Sequence, residues 1–205
     1  MAVEIWTPLD HQVTCDAHDH YAEAVKIYTR AGDDGTTGLY FGGRVAKTSL
    51  PIEVNGAVDE AQALLGWARS LSERGSRLDD LLISVERDLW VLMAEVATLP
   101  ANRGKLVAGK SLVTAAMVER LEHEIDAFAD ETTMPTEFLV PGENQLSAAL
   151  DVARTVVRRA ERVAITYPLE TSLVTPYLNR LSDLVWAMAR WAEGPYHRTA
   201  RTLEQ

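Results

Sequence analysis

The chain has 205 residues, enough for one domain with a substantial core and too few for two of ordinary size. It holds 30 acidic against 20 basic residues, a formal net charge of −10, which argues against a nucleic-acid binder because phosphate-backbone binding calls for a broad basic surface. A single cysteine, Cys15, allows no intrachain disulfide, and no apolar run approaches the length of a membrane span, so a cytoplasmic protein without membrane contacts is expected.

Residues 1–24 read as an acidic N-terminal extension, expected to be flexible. The first 25 residues contain no Lys or Arg but five acids, the wrong balance for a secretory signal or a transit peptide. Cys15, His18 and His20 look superficially like metal ligands but lack a fourth partner at a sensible spacing, and no metal site is assigned.

Residues 26–38 gather Gly32, Gly35 and Gly38, the hydroxyls of Thr29, Thr36 and Thr37, and the cations Lys26 and Arg30. Glycine lets backbone N–H groups converge on an anion, and threonine hydroxyls add donors, so the loop is a candidate anion cradle; an ordinary turn is the competing reading.

From residue 53 onward the period is helical. Residues 53–74 place Val58, Ala61, Leu65, Ala68 and Leu71 on one face, with Gly75 where a C-cap is expected. Residues 77–98 carry Leu78, Leu81, Val85, Leu89, Leu92 and Val96 and stop before Pro100. A third helix is predicted over 111–131 through Val118, Leu121, Ile125 and Phe128, and a fourth over about 144–166 through Leu146, Leu150, Ala153, Val157, Ala160 and Ala164. The fifth opens with Thr175-Pro176, read as an N-cap and a first-turn proline, buries Leu178, Leu181, Val185 and Met188, and ends near Gly194. The fold class is therefore all-α, a five-helix bundle. It occupies residues 25–193, followed by a C-terminal tail at 194–205. Trp67, Trp90, Trp186 and Trp191 fall on these helices and are expected in the core or at helix contacts.

The fourth helix carries Arg154, Arg158, Arg159 and Arg162, four arginines within nine residues. Arg154, Arg158 and Arg162 recur every fourth position, so they share a face and repel one another. Glu161 offsets part of this through Arg158 three residues back. The row still calls for carboxylates from elsewhere or for a polyphosphate. Asp59 and Glu60, placed near the start of the first long helix, are the candidate carboxylates, and Asn179 is a candidate hydrogen-bonding group on the last helix. Other chemistries drop out. There is no GxxxxGK[ST] loop, and the Glu-x-x-His pairs of a di-iron bundle fail because His123 is preceded by Arg120 and His197 by Gly194.

Four blocks taken together resemble the PduO-type ATP:cob(I)alamin (corrinoid) adenosyltransferases over about residues 25–192. They are Lys26–Gly38 with Arg44 and Lys47; Asn55–Ala61; Phe138–Gly142 leading into Ala153–Arg162; and Leu178–Asp183. The resemblance implies a homotrimeric five-helix bundle with ATP, accompanied by Mg2+, bound between subunits. It implies transfer of the 5′-deoxyadenosyl group of ATP to the Co(I) centre of cob(I)alamin or a related corrinoid, with release of triphosphate. By position, Thr29, Arg30, Ala31, Gly32, Thr37 and Gly38 would wrap the triphosphate with Lys47 adding charge. Arg158, Arg159, Ala160, Glu161 and Arg162 would form the second phosphate-binding wall, and Asn179 would contact the nucleotide. Asp59 would pair with Arg154 across the subunit boundary. Phe138 would sit at the lower face of the corrin ring and displace the axial ligand. A cob(II)alamin reductase or flavoprotein and an adenosylcobalamin-dependent mutase are the implied partners. A non-catalytic ATP- or corrinoid-binding module on the same fold is the alternative. The chain departs from the common pattern at Glu143-Asn144, in the segment Val85–Trp90, and at Asp151, where a histidine often stands; these departures bear on the corrin side.

Overall fold

A computed structural model describes residues 27–167 and 169–200, so Lys26 and the Cys15, His18 and His20 group lie outside the described residues. The chain opens with a short antiparallel hairpin, β1 (Thr36–Gly38) and β2 (Arg44–Ala46), in the register Thr36 opposite Ala46 and Gly38 opposite Arg44. Five helices follow: α1 (Leu50–Ser70), α2 (Arg77–Val96), α3 (Ala115–Glu131), α4 (Gln145–Ile165) and α5 (Val174–Glu193), with a short 3-10 helix at Pro100–Lys105. The expected bundle is present. The hairpin is an addition, because three-residue strands are too short to show an alternating pattern.

Local chemistry moves several boundaries. α1 starts at Leu50 because Ser49 is extended and Pro51 follows in the first turn, where a missing N–H costs nothing. It ends at Ser70, where the Leu71 N–H closes on the carbonyls of Ala68 and Arg69. Gly75 (φ +75°) is therefore not the cap of α1. Its N–H instead donates to Asp79 Oδ2 at 2.8 Å, while Ser76 Oγ accepts from the Asp79 N–H at 3.2 Å and caps α2. α3 begins at Ala115 rather than 111, behind Thr114, whose hydroxyl accepts from the Met117 N–H at 3.3 Å. Asn144 and Ser147 exchange bonds in a capping box that starts α4. Leu173, not Thr175, occupies the N-cap of α5, and Thr175 and Pro176 lie inside its first turn, where proline is still tolerated.

The apolar stripes meet in one core. α4 lies between α1 and α5, α3 packs on α5, and α2 on α1. Leu65, Leu82, Leu89, Leu121, Leu150, Leu178 and Met188 are fully enclosed. The tryptophans are not in that core: Trp67 and Trp90 are 48% and 43% exposed, and Trp191 lies at a helix contact, edge-on to Phe128.

Two buried carboxylates fasten the frame. Asp88 of α2 accepts from the Tyr177 hydroxyl of α5 at 2.8 Å and pairs with Arg120 of α3; burial pushes both the Asp88 carboxyl and the Tyr177 phenol up from their ordinary values. Glu95 accepts from Arg103 at 2.9 Å, the Val113 N–H at 2.8 Å and Ser172 at 2.7 Å. That clasp fixes the connection after α2, and the hairpin docks there: the Tyr40 N–H donates to the Ala97 carbonyl, and Asn102 donates to the carbonyl of Phe41. Among the described residues, no helix is long and apolar enough to cross a membrane.

Candidate active site

The glycine–threonine loop is built by its own side chains. Asp34 Oδ1 accepts from the Thr36 N–H at 2.9 Å and its hydroxyl at 2.7 Å, and those bonds, chiefly the hydroxyl, hold the Asp34 carboxyl below its ordinary value. Arg44, on β2, reaches across to the Ala31 carbonyl and to Thr36 Oγ1. The Thr29 hydroxyl accepts from the Ala31 N–H, and Arg30 takes a left-handed φ of 60° with its guanidinium over the Tyr28 ring. Gly32 packs against Lys47: a β-carbon there would stand 3.1 Å from Lys47 Nζ. Thr29, Arg30, Ala31, Gly32, Thr37, Gly38 and Lys47 are thus one local unit, with the Lys47 ammonium at the glycine surface. Arg44 braces that unit, a role the sequence reading did not assign.

On α4, Ala160 is buried and turns the arginine face outward. Arg159 pairs with Glu60 of α1. Among the described residues the Arg162 guanidinium reaches only the Arg158 carbonyl, at 3.2 Å. The Arg158 side chain makes no hydrogen bond or ion pair among the described residues. Glu161 does not pair with Arg158; it accepts from Asn179 Nδ2 at 3.0 Å across the α4–α5 contact, and Asn179 Oδ1 accepts from Arg180 at 2.7 Å. Asn179 is therefore held rigidly beside the row.

Asp59 and Glu60 stand about ten residues into α1, in its third turn and not its first, because α1 begins at Leu50. Asp59 is exposed and makes no hydrogen bond or ion pair among the described residues. Arg154 turns to Asp151 Oδ1 at 3.4 Å, so the Asp59–Arg154 pair is not formed within one chain. No hydrogen bond or ion pair joins the loop to the α4 arginines among the described residues.

Phe138 lies in the connection between α3 and α4 with its side chain 90% exposed. It borders a cavity of about 310 Å³ whose wall includes Leu139, Asp151, Arg154, Trp186 and Arg190. The structure thus brings Phe138 and Arg154 to one cavity. Behind them runs a buried chain of polar contacts: Asp151 Oδ2 to Arg190 at 2.6 Å, Arg190 to Glu193 Oε1 at 2.8 Å, and Glu193 Oε2 to His197 Nδ1 at 3.0 Å. Asp151, the departure at the histidine position, is here the carboxylate that neutralises Arg190. The sequence reading missed Arg190 and Glu193. Their signal was an arginine inside the apolar run of α5 with an acid three residues on.

Among the described residues, no group of three or more His, Cys, Asp or Glu could hold a metal ion as a cage.

The family model for cobalamin adenosyltransferases matches residues 27–192. A corrinoid adenosyltransferase of Mycobacterium bovis is 40% identical over 172 residues, covering 82% of this chain and 88% of the relative. One from Citrobacter freundii is 37% identical, covering 82% and 95%. Among solved structures, a phenylalanine-to-alanine variant of the PduO-type ATP:corrinoid adenosyltransferase from Lactobacillus reuteri, complexed with cobalamin and ATP, superposes with a TM-score of 0.75 at 29% identity, over 86% of this chain and all of that one. An arginine-to-lysine variant of that enzyme, complexed with ATP, gives 0.73 at 28% identity, over 85% of this chain and all of that one.

Proposed function

Since the chain belongs to the cobalamin adenosyltransferase family, we propose the following division of labour for its activity as a corrinoid adenosyltransferase using ATP and a reduced corrinoid. The Co(I) lone pair attacks C5′ of ATP, a cobalt–carbon bond forms, and the C5′–O bond breaks with its electron pair leaving on the triphosphate. Co(I) is itself a strong nucleophile, so no general base is required of the protein. The protein must orient C5′ and stabilise charge on the departing triphosphate.

The observation that carries this reading is the outer arginine row: Arg158 and Arg162 have no carboxylate partner among the described residues, although like charges at that spacing repel. A polyphosphate resolves that repulsion. Arg159 and Arg162 flank Arg158 on the phosphates, and Glu161 fixes Asn179 against the nucleotide. The loop from Thr29 to Gly38, with Lys47, supplies the opposite wall. Among the described residues no bond joins loop and row, which supports a homotrimer whose sites lie between subunits, with Asp59 meeting Arg154 of the neighbour. Phe138 takes the corrin side. Mg2+, when bound with ATP, screens the phosphate charge. A reductase delivers Co(I), an adenosylcobalamin-dependent mutase receives the product, and the setting is cytoplasmic.

The test is anaerobic mixing with reduced cobalamin and ATP, following conversion of the Co(I) spectrum to that of adenosylcobalamin. Turnover is expected. Arg158→Ala is expected to lose roughly a hundredfold in kcat/KM with an unchanged far-UV circular dichroism spectrum, the scale of one charge-stabilising contact. No ATP-dependent conversion by the parent protein would favour the binding-module alternative. Full activity in Arg158→Ala would remove that residue's role.

A further inference from the structure

We propose that residues 195–200, beyond the family match, are a strap that positions Phe138, with Ala200 and His197 as positioning residues for the corrinoid side of the reaction. This rests on the reading of Phe138 given above.

Phe138 poses a physical problem. Its ring is presented outward with almost no packing to hold it, yet a ring that acts on one face of a corrin must stand in a fixed place. Order must therefore come from its backbone. Residues 133–143 make only two backbone–backbone hydrogen bonds among the described residues, and both go to the tail: Val140 N–H to the Arg198 carbonyl at 2.8 Å, and Ala200 N–H to the Phe138 carbonyl at 2.7 Å. They bracket Leu139 opposite Thr199 in an antiparallel bridge. Strand alternation then turns Leu139 inward and sends Phe138 and Val140 outward, as their burial shows. Arg198 adds an ion pair to Glu143 at 3.5 Å, which gives the Glu143 departure a partner.

The strap is anchored at its root. Gly194, with φ +66°, turns the chain out of α5, and His197 then binds Glu193 at 3.0 Å. Glu193 holds Arg190, Arg190 holds Asp151, and Asp151 holds Arg154. One continuous set of bonds thus runs from Arg154 to the root of the segment that pins Phe138, and Arg154 and Phe138 border the same cavity.

The experiment compares a chain ending at Gly194, Ala200→Pro (which removes one strap N–H), Phe138→Ala, and the truncation combined with Phe138→Ala. Two readouts are taken with cobalamin and ATP: kcat and KM for adenosylation, and the visible spectrum of bound cob(II)alamin, which reports loss of its lower axial ligand. The truncation and Ala200→Pro are expected to lose roughly ten- to a hundredfold in kcat along with the spectral change, while KM for ATP stays within about twofold. The combined variant should be no worse than Phe138→Ala alone, because the strap acts through that ring. If the truncated chain does not fold, Ala200→Pro decides. Full kcat and a full spectral change in the tail variants, beside an impaired Phe138→Ala, overturn the strap. So do losses that multiply in the combined variant. Full activity in Phe138→Ala removes the Phe138 reading itself, and a tail variant that still loses turnover then overturns the strap as well.

Discussion

Gly32 has no room for a side chain. A β-carbon built there would lie 3.1 Å from both Lys47 Nζ and the Thr36 carbonyl, so both must give by a few tenths of an ångström. Its φ is not left-handed, so the constraint is space and not backbone strain. The lysine tip yields more readily than the carbonyl, and Gly32→Ala is expected to push the Lys47 ammonium off the loop surface. KM for ATP should rise by roughly three- to tenfold, with kcat less affected, as follows when a ground-state phosphate contact is weakened. The melting temperature should stay put, because the loop contributes little to the buried core. Steady-state kinetics beside a thermal melt checks both; an unchanged KM would mean that Lys47 does not address the phosphates. Arg158 differs in kind, since it is exposed and has no partner among the described residues. Its value lies in a charge left available, which a sequence can suggest through spacing but only a structure can show to be uncompensated.

At the scale of elements, the start of α2 carries a pH-dependent term. Asp79 accepts from the Gly75 N–H and pairs with Arg69 at 3.2 Å, and these contacts, the backbone bond first, hold its carboxyl below the ordinary 3.8. A depressed folded-state value means stabilisation that is fully present above the unfolded value, at neutral pH, and lost as pH falls below about 3.8 through the lowered one. Asp79→Ala should therefore melt lower than the parent at pH 7, and the two melting temperatures should converge toward pH 3. Melting curves across that range that ran parallel would contradict the assignment. What the sequence made legible follows from the same elements. The stripes of α2, α4 and α5 repeat strongly enough to predict both the helices and their buried residues. The first turn of α1 does not stand out by periodicity, so the expected start at 53 falls three residues after the observed one, and Asp59 and Glu60 lie almost a turn deeper in the helix than expected. Glu161 was assigned to Arg158 by local spacing, yet a cross-helix amide, Asn179, took it. The hairpin left no pattern because its strands are three residues long, and the tail's pairing with residues 138–140 depends on a contact that no local period encodes.

For the whole molecule, the decisive fact is that the loop is anchored on the far end of α2 whereas the arginines ride on α4, with no bond between them among the described residues. If each site takes one wall from each of two subunits, defects in opposite walls must complement. Lys47→Ala and Arg158→Ala are each expected to turn over poorly alone, while mixed assemblies from co-expression should recover a measurable part of the parent rate, since some sites then receive two intact walls. Native mass spectrometry would confirm that mixing occurred; confirmed mixing with no recovery would place both walls on one subunit. The buried chain from Arg154 through Asp151, Arg190 and Glu193 carries two positive and two negative charges, and its members therefore cannot drift independently. Replacing Asp151 alone removes the carboxylate that stands between Arg154 and Arg190, and replacing Arg190 alone removes the cation that stands between Asp151 and Glu193. A single change here is therefore felt at both neighbours, which makes the wall of the Phe138 cavity and the root of the tail one electrostatic unit.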